Sequence, residues 1–159
     1  MKKTILLAAA GCICSIALAA VPKPDFSGTW KLNNDKSTRD GPADRIYLNE
    51  IRQDSKSVTV TTKVESAPPG VPLDGTFLTD GKERVDTKSG HLHSTQVVWE
   101  GTTLVFMIVD KEGRKKTSKP TNAIRESWTL SPDGKVLTKF RQTAGGGKMV
   151  EQKYVFDKQ

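Results

Sequence analysis

The sequence predicts an all-β fold, a single antiparallel up-and-down β-barrel of about eight to ten strands. Short segments that alternate between apolar and polar residues recur along the chain, as half-buried strands require. Asp-Gly and Glu-Gly pairs separate many of these segments and favour the positive dihedrals of tight hairpin turns. No segment has convincing helical periodicity. Closing such a sheet into a barrel removes its exposed edges. An open, strongly curved sheet is the alternative, because Pro68-Pro69 and Pro120 could interrupt closure.

Residues 1–20 are predicted to be a signal peptide outside the fold. Lys2-Lys3 is a basic start, residues 5–18 are apolar, and Ala17-Leu18-Ala19 has the small-x-small form of a cleavage site. The apolar stretch is shorter than the about 20 residues that a stable membrane anchor needs. We therefore expect an exported protein, periplasmic or secreted, whose single domain covers residues 21–159.

Both cysteines, Cys12 and Cys14, lie in this leader. Ala9-Ala10-Gly11-Cys12 resembles a bacterial lipoprotein box, which would make the protein an acylated lipoprotein. Ala9 stands where leucine is usual, however, and the residues after Cys12 stay apolar, so the secretory alternative is preferred. On that alternative the domain has no cysteine, which excludes disulfides, thiol nucleophiles and cysteine-based metal sites.

The domain is mildly basic. The formal net charge is +7, and Lys2 and Lys3 account for two charges, which leaves +5 for residues 21–159. Acidic residues are interspersed with the basic ones, which argues against nucleic acid as a partner. The one basic cluster contains Arg114, Lys115 and Lys116, and it suits contact with an anionic envelope surface or simply a solvated hairpin.

The first strand lies in residues 25–33, where Phe26, Trp30 and Leu32 share one face because side chains alternate across a strand. Gly28 lies between Phe26 and Trp30 on this face and allows a close approach. Later strands follow the same alternation and are predicted at residues 45–53, 57–65, 75–78, 83–87, 91–99, 103–110, 114–118, 123–130, 135–143 and 148–156.

Gly28-Thr29-Trp30 resembles the G-x-W signature of lipocalins, and residues 26–32 resemble the opening F-x-G-T-W-K-L of the intracellular fatty-acid-binding proteins. This resemblance to the calycin superfamily implies that Gly28 and Trp30 are a structural signature, with Trp30 plugging the closed end of a barrel. It also implies a small apolar or amphipathic ligand. The helical lid of fatty-acid-binding proteins has no counterpart here, because the chain returns to strand character at Ile46.

The last strand resembles the R-x-Y ending of fatty-acid-binding proteins, whose Arg and Tyr hold the ligand carboxylate. Gln152-Lys153-Tyr154 keeps the Tyr, but Gln152 replaces the Arg and cannot form a bidentate clamp. Arg141 on the preceding strand is the candidate substitute, and the alternative is a solvated side chain. Lipocalins also pack a late Arg over the signature Trp, and Arg125 and Arg141 are candidates for that contact with Trp30.

A barrel of about eight to ten strands can enclose one small ligand. The residues expected to face inward are Val58, Val60, Val97, Trp99, Phe106, Trp128, Leu130, Phe140, Tyr154 and Phe156. The candidate ligand-binding residues are Trp99, Phe106, Trp128, Phe140, Arg141, Gln152 and Tyr154. The alternative for each is a place in a filled core.

No catalytic grouping, cofactor site or metal site is predicted. His91 and His93 have a metal-ligand spacing but lack a third ligand, so an exposed polar face is the preferred interpretation. Without a cysteine in the domain or a G-x-S-x-G motif, nucleophilic catalysis has no obvious site.

We therefore expect a monomeric, non-enzymatic protein that binds a small apolar or amphipathic ligand. The alternative is a secreted or periplasmic interaction module, an inhibitor or envelope-associated protein, with a packed core. Its working surface would then be the Pro68-Pro69 loop and the basic hairpin around Arg114.

Overall fold

The computed structural model describes residues 21–39, 46–64, 74–88, 91–113 and 119–159. Within these ranges the chain is all β, without a helix, so no described helix could cross a membrane. The eleven strands are β1 Gly28–Leu32, β2 Thr38–Arg39, β3 Ile46–Gln53, β4 Ser57–Val64, β5 Gly75–Leu78, β6 Arg84–Lys88, β7 His91–Glu100, β8 Thr103–Lys111, β9 Pro120–Leu130, β10 Val136–Gly145 and β11 Lys148–Lys158.

Several predictions concern residues outside the described ranges. These are the signal peptide at 1–20 with its cysteines, the Pro68-Pro69 loop, the strand at 114–118 and the basic cluster of Arg114, Lys115 and Lys116. They remain predictions from the sequence.

The strands form one antiparallel, up-and-down sheet that curls into a half-barrel, which is consistent with a barrel and confirms the predicted all-β fold class. Its strand order is β5-β4-β3-β1-β11-β10-β9-β8-β7-β6, and β2 pairs separately with β11. Each long strand lies beside its neighbour in sequence, and β1 pairs with β11. Among the described strands, β5 and β6 do not pair with each other and form the two edges of the sheet.

A ring contact across the interior shows how strongly the sheet curls. Phe77 on β5 and Phe106 on β8 have ring centroids 5.3 Å apart. Between these strands the sheet order places β4, β3, β1, β11, β10 and β9, so a flat sheet would separate them by about 30 Å at the usual strand spacing. The concave face therefore encloses the core.

Most residues that were expected to face inward do so. Those in the core cluster are Val58, Val60, Val97, Phe106, Trp128, Tyr154 and Phe156, and those packed against it are Trp99 and Leu130.

Phe140 is the exception, and its predicted inward position is wrong. Its neighbours Lys139 and Arg141 are buried, and Lys139 lies over the core residue Trp128. Because adjacent side chains on a strand point to opposite faces, Phe140 points outward. It therefore does not join the other candidate ligand-binding residues.

The chain just before β1 covers one end of the core. The Phe26 ring stacks on Trp99 and meets Trp128 edge-on, with centroids 5.9 Å away in both cases. The Trp30 indole Nε1 donates a hydrogen bond of 2.9 Å to the carbonyl oxygen of Phe26. Gln53 accepts from the Phe26 amide through its side-chain oxygen, at 3.1 Å. Phe26 and Trp30 are both fully buried.

The cation over Trp30 is a lysine. The Lys158 Nζ lies 5.1 Å from the Trp30 ring centroid. The two arginines that the resemblance suggests have other partners. Arg125 pairs with Glu100 at 2.8 Å, and the buried Arg141 pairs with Glu126. The prediction that one of these arginines packs over Trp30 is therefore not what the structure shows.

Gly28 is required by its backbone conformation. Its φ of +137° is one that residues with a side chain rarely adopt, and an added Cβ would lie 2.9 Å from the Lys158 Cε. The close approach expected at Gly28 is thus made by Lys158.

Replacing Phe26 by alanine should lower the free energy of unfolding by about 3–5 kcal/mol, because a fully buried ring is lost from the core. Urea unfolding of the variant and the wild type measures this. Met149→Ala removes an exposed side chain on β11 and should change stability by less than about 0.5 kcal/mol. Equal effects of the two substitutions would show that the Phe26 ring is not part of the core.

Candidate functional site

Charged and aromatic side chains meet on the inner face of three adjacent strands. Antiparallel register places Glu126 of β9 opposite Arg141 of β10, and Arg141 opposite Gln152 of β11. A side chain in each of these positions faces the same side of the sheet, because paired residues point to the same face. Glu126, Arg141 and Gln152 therefore form a first row of side chains on the inner face, beside the aromatic rings described below.

The second row lies two residues along each strand. Trp128 of β9 is opposite Lys139 of β10, and Lys139 is opposite Tyr154 of β11. The Lys139 Nζ lies 3.9 Å from the Trp128 ring centroid, and the Arg141 guanidinium carbon lies 5.6 Å from the Tyr154 ring centroid. Both cations therefore contact aromatic rings of this row.

Glu126 is the carboxylate at the centre of the site and is only 1% exposed. Its Oε2 accepts a hydrogen bond from the Arg141 Nε at 2.5 Å, and its Oε1 accepts one from the Trp128 indole Nε1 at 2.6 Å. Burial favours the protonated acid, but the charges of Arg141 and Lys139 together with these hydrogen bonds outweigh it and hold the pKa of Glu126 below its ordinary value. Glu126 is therefore ionised at neutral pH.

Lys139 is also buried, with 6% of its surface exposed. Burial lowers the pKa of its ammonium to about 8; the Arg141 charge acts in the same direction, and Glu126 acts against it. No described carboxylate lies within ion-pair distance of its Nζ, and the Nζ donates no hydrogen bond to a described side chain. The Nζ lies over the Trp128 ring and 5.1 Å from the Phe156 ring centroid, and these contacts stabilise the ammonium together with the charge of Glu126.

The aromatic rings next to these charges form a continuous apolar layer. Phe106 lies 4.6 Å from Trp128, centroid to centroid, and Phe26 contacts Trp128 from the other side. Trp99 extends the layer through Phe26 and is half-buried. The site therefore combines a small polar centre with an apolar surround.

The structure brings six of the seven candidate ligand-binding residues to this face. Trp99, Phe106 and Trp128 belong to the apolar layer, whereas Arg141, Gln152 and Tyr154 lie in the two rows. Phe140 points to the opposite face.

Two residues of this candidate site, Glu126 and Lys139, were not predicted from the sequence. A signal for both was present, because strict alternation from Trp128 places Glu126 on the inner face. In the same way, alternation in Lys139-Phe140-Arg141 places either Phe140 or both cations on the inner face. Because Phe140 was predicted to face inward, the inward position of Lys139 was not recognised.

The histidines do not form a metal site with other described residues. The His93 Nδ1 lies 2.5 Å from the Asp110 Oδ1, and His91 is exposed. In the described ranges, His, Cys, Asp and Glu side chains do not gather in groups of three or more that could hold a metal ion.

Comparison with known proteins shows no family for this chain. No protein-family model matches the sequence, and no curated protein is similar to it. The resemblance of residues 26–32 to fatty-acid-binding proteins therefore stays a prediction, and the chemistry of the site must be inferred from this chain's own residues.

Replacing Glu126 by glutamine should lower the free energy of unfolding by about 3–5 kcal/mol at pH 7, because the buried Arg141 loses the carboxylate with which it pairs and Lys139 loses a nearby negative charge. Chemical denaturation measures the difference. Glu100→Gln is the matched control, since Glu100 also pairs with an arginine but is exposed, and its effect should be about 0–1 kcal/mol. Similar losses in both variants would mean that Glu126 does not neutralise a buried charge.

Replacing Lys139 by methionine should change how stability depends on pH. The pKa of Lys139 is about 8 in the folded protein and near 10.5 in the unfolded chain. Between these values the unfolded chain binds more protons, so this residue makes the folded state more stable as the pH rises through that window. Urea unfolding between pH 7 and 10.5 should therefore show the wild type gaining stability relative to K139M. A constant difference between the two proteins would contradict the lowered pKa.

Proposed function

We propose that this protein binds a small apolar or amphipathic molecule against the concave face of its curled sheet, without chemical change to the ligand. The observation that carries the proposal is the inner face of β9, β10 and β11, where the polar centre of Glu126, Lys139 and Arg141 adjoins a layer of aromatic rings. Ligand sites typically have this composition, a mostly apolar lining with a few placed polar groups.

The resemblance to the calycin superfamily supports the same proposal. The up-and-down sheet and the buried Trp30 are features that the resemblance implies. Arg141 lies directly opposite Gln152, the position at which fatty-acid-binding proteins have an arginine. A cation from the adjacent strand thus reaches the region where that family holds a carboxylate.

Export is part of the proposal and is supported by the sequence of residues 1–20, with its basic start, apolar stretch and small-x-small site. The binding protein would then act in the periplasm or outside the cell as a carrier or scavenger.

A second candidate function is a protein-interaction module with a packed core. It is favoured by the complete burial of Trp30, Phe106 and Trp128 by other side chains of this chain. The working surface would then lie outside the sheet, and the cluster around Lys115 and Lys116 is the sequence-based candidate.

Tryptophan fluorescence tests the first proposal against the second. Titration with decanol, an amphipathic probe, should change the emission of the wild type, because Trp128 and Trp99 lie in the apolar layer. The signal should persist in the Trp30→Phe variant and be clearly smaller in Trp128→Phe. Native mass spectrometry of the purified protein should show the added mass of one ligand.

The absence of both an emission change and a bound mass would contradict the carrier proposal. In that case the Lys115→Gln, Lys116→Gln double variant should abolish binding of a protein partner, as the interaction module requires. A carrier would retain ligand binding in this double variant.

A further inference from the structure

We infer that the ligand carries an uncharged oxygen acceptor, such as a hydroxyl or carbonyl oxygen, and that the side-chain amide of Asn49 on β3 donates a hydrogen bond to it. This inference rests on the proposed function. It adds the class of polar group that the ligand presents and a residue that selects for that group.

The Asn49 side chain is buried and carries an unused donor. Asn49 is only 2% exposed, and its amide nitrogen Nδ2 has no hydrogen-bond partner. Within the described part of the chain, this is the one buried side-chain nitrogen or oxygen without such a partner. A buried donor that lacks an acceptor is costly, and native proteins contain few of them. The Nδ2 group therefore calls for an acceptor that the described residues do not supply.

Strand register directs this amide into the interior of the curled sheet. Asn49 lies opposite Trp30 of β1 and opposite Thr62 of β4. Paired residues point to the same face of a sheet, and Trp30 belongs to the core cluster. Asn49 therefore points to the concave face, where the proposed function places the ligand.

Thr62 holds the carbonyl end of the amide. Its Oγ1 donates a hydrogen bond of 3.1 Å to the Asn49 Oδ1, which leaves the Nδ2 end as the unused half of the group. The other described neighbours on this face cannot serve Nδ2 with a side-chain acceptor, because the Trp30 indole is a donor only and Ile51 is apolar. An oxygen atom of a ligand would complete the hydrogen bonding of Asn49.

The surroundings of Asn49 favour an oxygen without charge. The side chains of Trp30, Thr62, Ile51 and Val60 on the same face are all uncharged, and Ile51 and Val60 belong to the core cluster. A charged oxygen would lose its hydration here in exchange for one neutral donor, which is costly. The apolar part of a neutral ligand would lie against Ile51 and Val60.

The experiment compares decanol with decanethiol, which has the same chain but a sulfur atom that is a weak acceptor. Titrations follow tryptophan emission in the wild type, in Asn49→Leu and in Thr59→Val, each as the full chain. Thr59→Val is the control, because it also removes a side-chain hydrogen bond, that of Thr59 with Thr76 at 2.9 Å, but on the exposed side of β4.

The ratio of decanol affinity to decanethiol affinity should fall by about fivefold to tenfold in N49L, since one hydrogen bond to the ligand oxygen is lost. N49L should bind decanethiol at least as tightly as the wild type does, because leucine leaves no donor without a partner. T59V should keep the wild-type ratio.

An unchanged ratio in N49L would overturn the inference and leave the proposed function standing. Both affinities would fall together if Asn49 had a structural role only, and both would stay the same if a buried water alone satisfied Nδ2. Binding of neither probe by the wild type would overturn the inference and the proposed function together. The two failures are therefore distinguishable.

An NMR measurement on the isotope-labelled wild type keeps the inference falsifiable if N49L does not fold. The two Nδ2 protons of Asn49 give signals of their own, which respond to a new hydrogen bond. Decanol should shift these signals clearly more than decanethiol does. Asn49 side-chain signals that respond equally to both probes, or to neither, would overturn the assignment of Asn49.

Discussion

The pairing of the first strand with the last is the constraint on which the rest of this structure depends. β1 contacts β11 over Trp30 to Leu32, with Trp30 opposite Lys158 and Leu32 opposite Phe156. That pairing joins the two halves of the chain and bends the sheet until β5 and β8 touch across the interior. It also anchors the segment before β1, so that Phe26 reaches Trp99 and Trp128. The apolar layer beside the charged centre is therefore assembled from both ends of the domain.

The buried charges of Glu126, Lys139 and Arg141 contribute little to the stability of this core. An apolar group in place of a buried ion pair of good geometry is often neutral or stabilising, because desolvation offsets most of the attraction between the charges. Glu126 and Arg141 are such a pair, and Lys139 adds a further desolvated charge. A structural role alone gives little reason for a second cation in this place. Groups whose pKa is displaced by burial and by charged neighbours are characteristic of functional sites, which agrees with a binding role for the centre.

Much of the fold could be predicted from the sequence, because its determinants are local. Alternation and turn residues fixed the strand class, and the pattern around Trp30 identified a buried tryptophan near the start of the domain. The short β2 was not predicted, since Thr38 and Arg39 have no alternating partners and pair only through tertiary contact with β11.

The site was predicted in part. Trp99, Phe106 and Trp128 were predicted correctly, because large aromatic side chains are apolar and usually face the interior. Glu126 and Lys139 were not, because a charged residue in a strand usually faces water, and only the register of three strands shows that these two meet. The same bias placed Phe140 inside.

The two edge strands, β5 and β6, have no described backbone pairing with each other, and the interior contact of Phe77 with Phe106 links β5 to β8 through side chains alone. Moving these edges apart breaks no strand-to-strand hydrogen bond described between them, so the edges are where the curled sheet can open at the least cost in backbone hydrogen bonds.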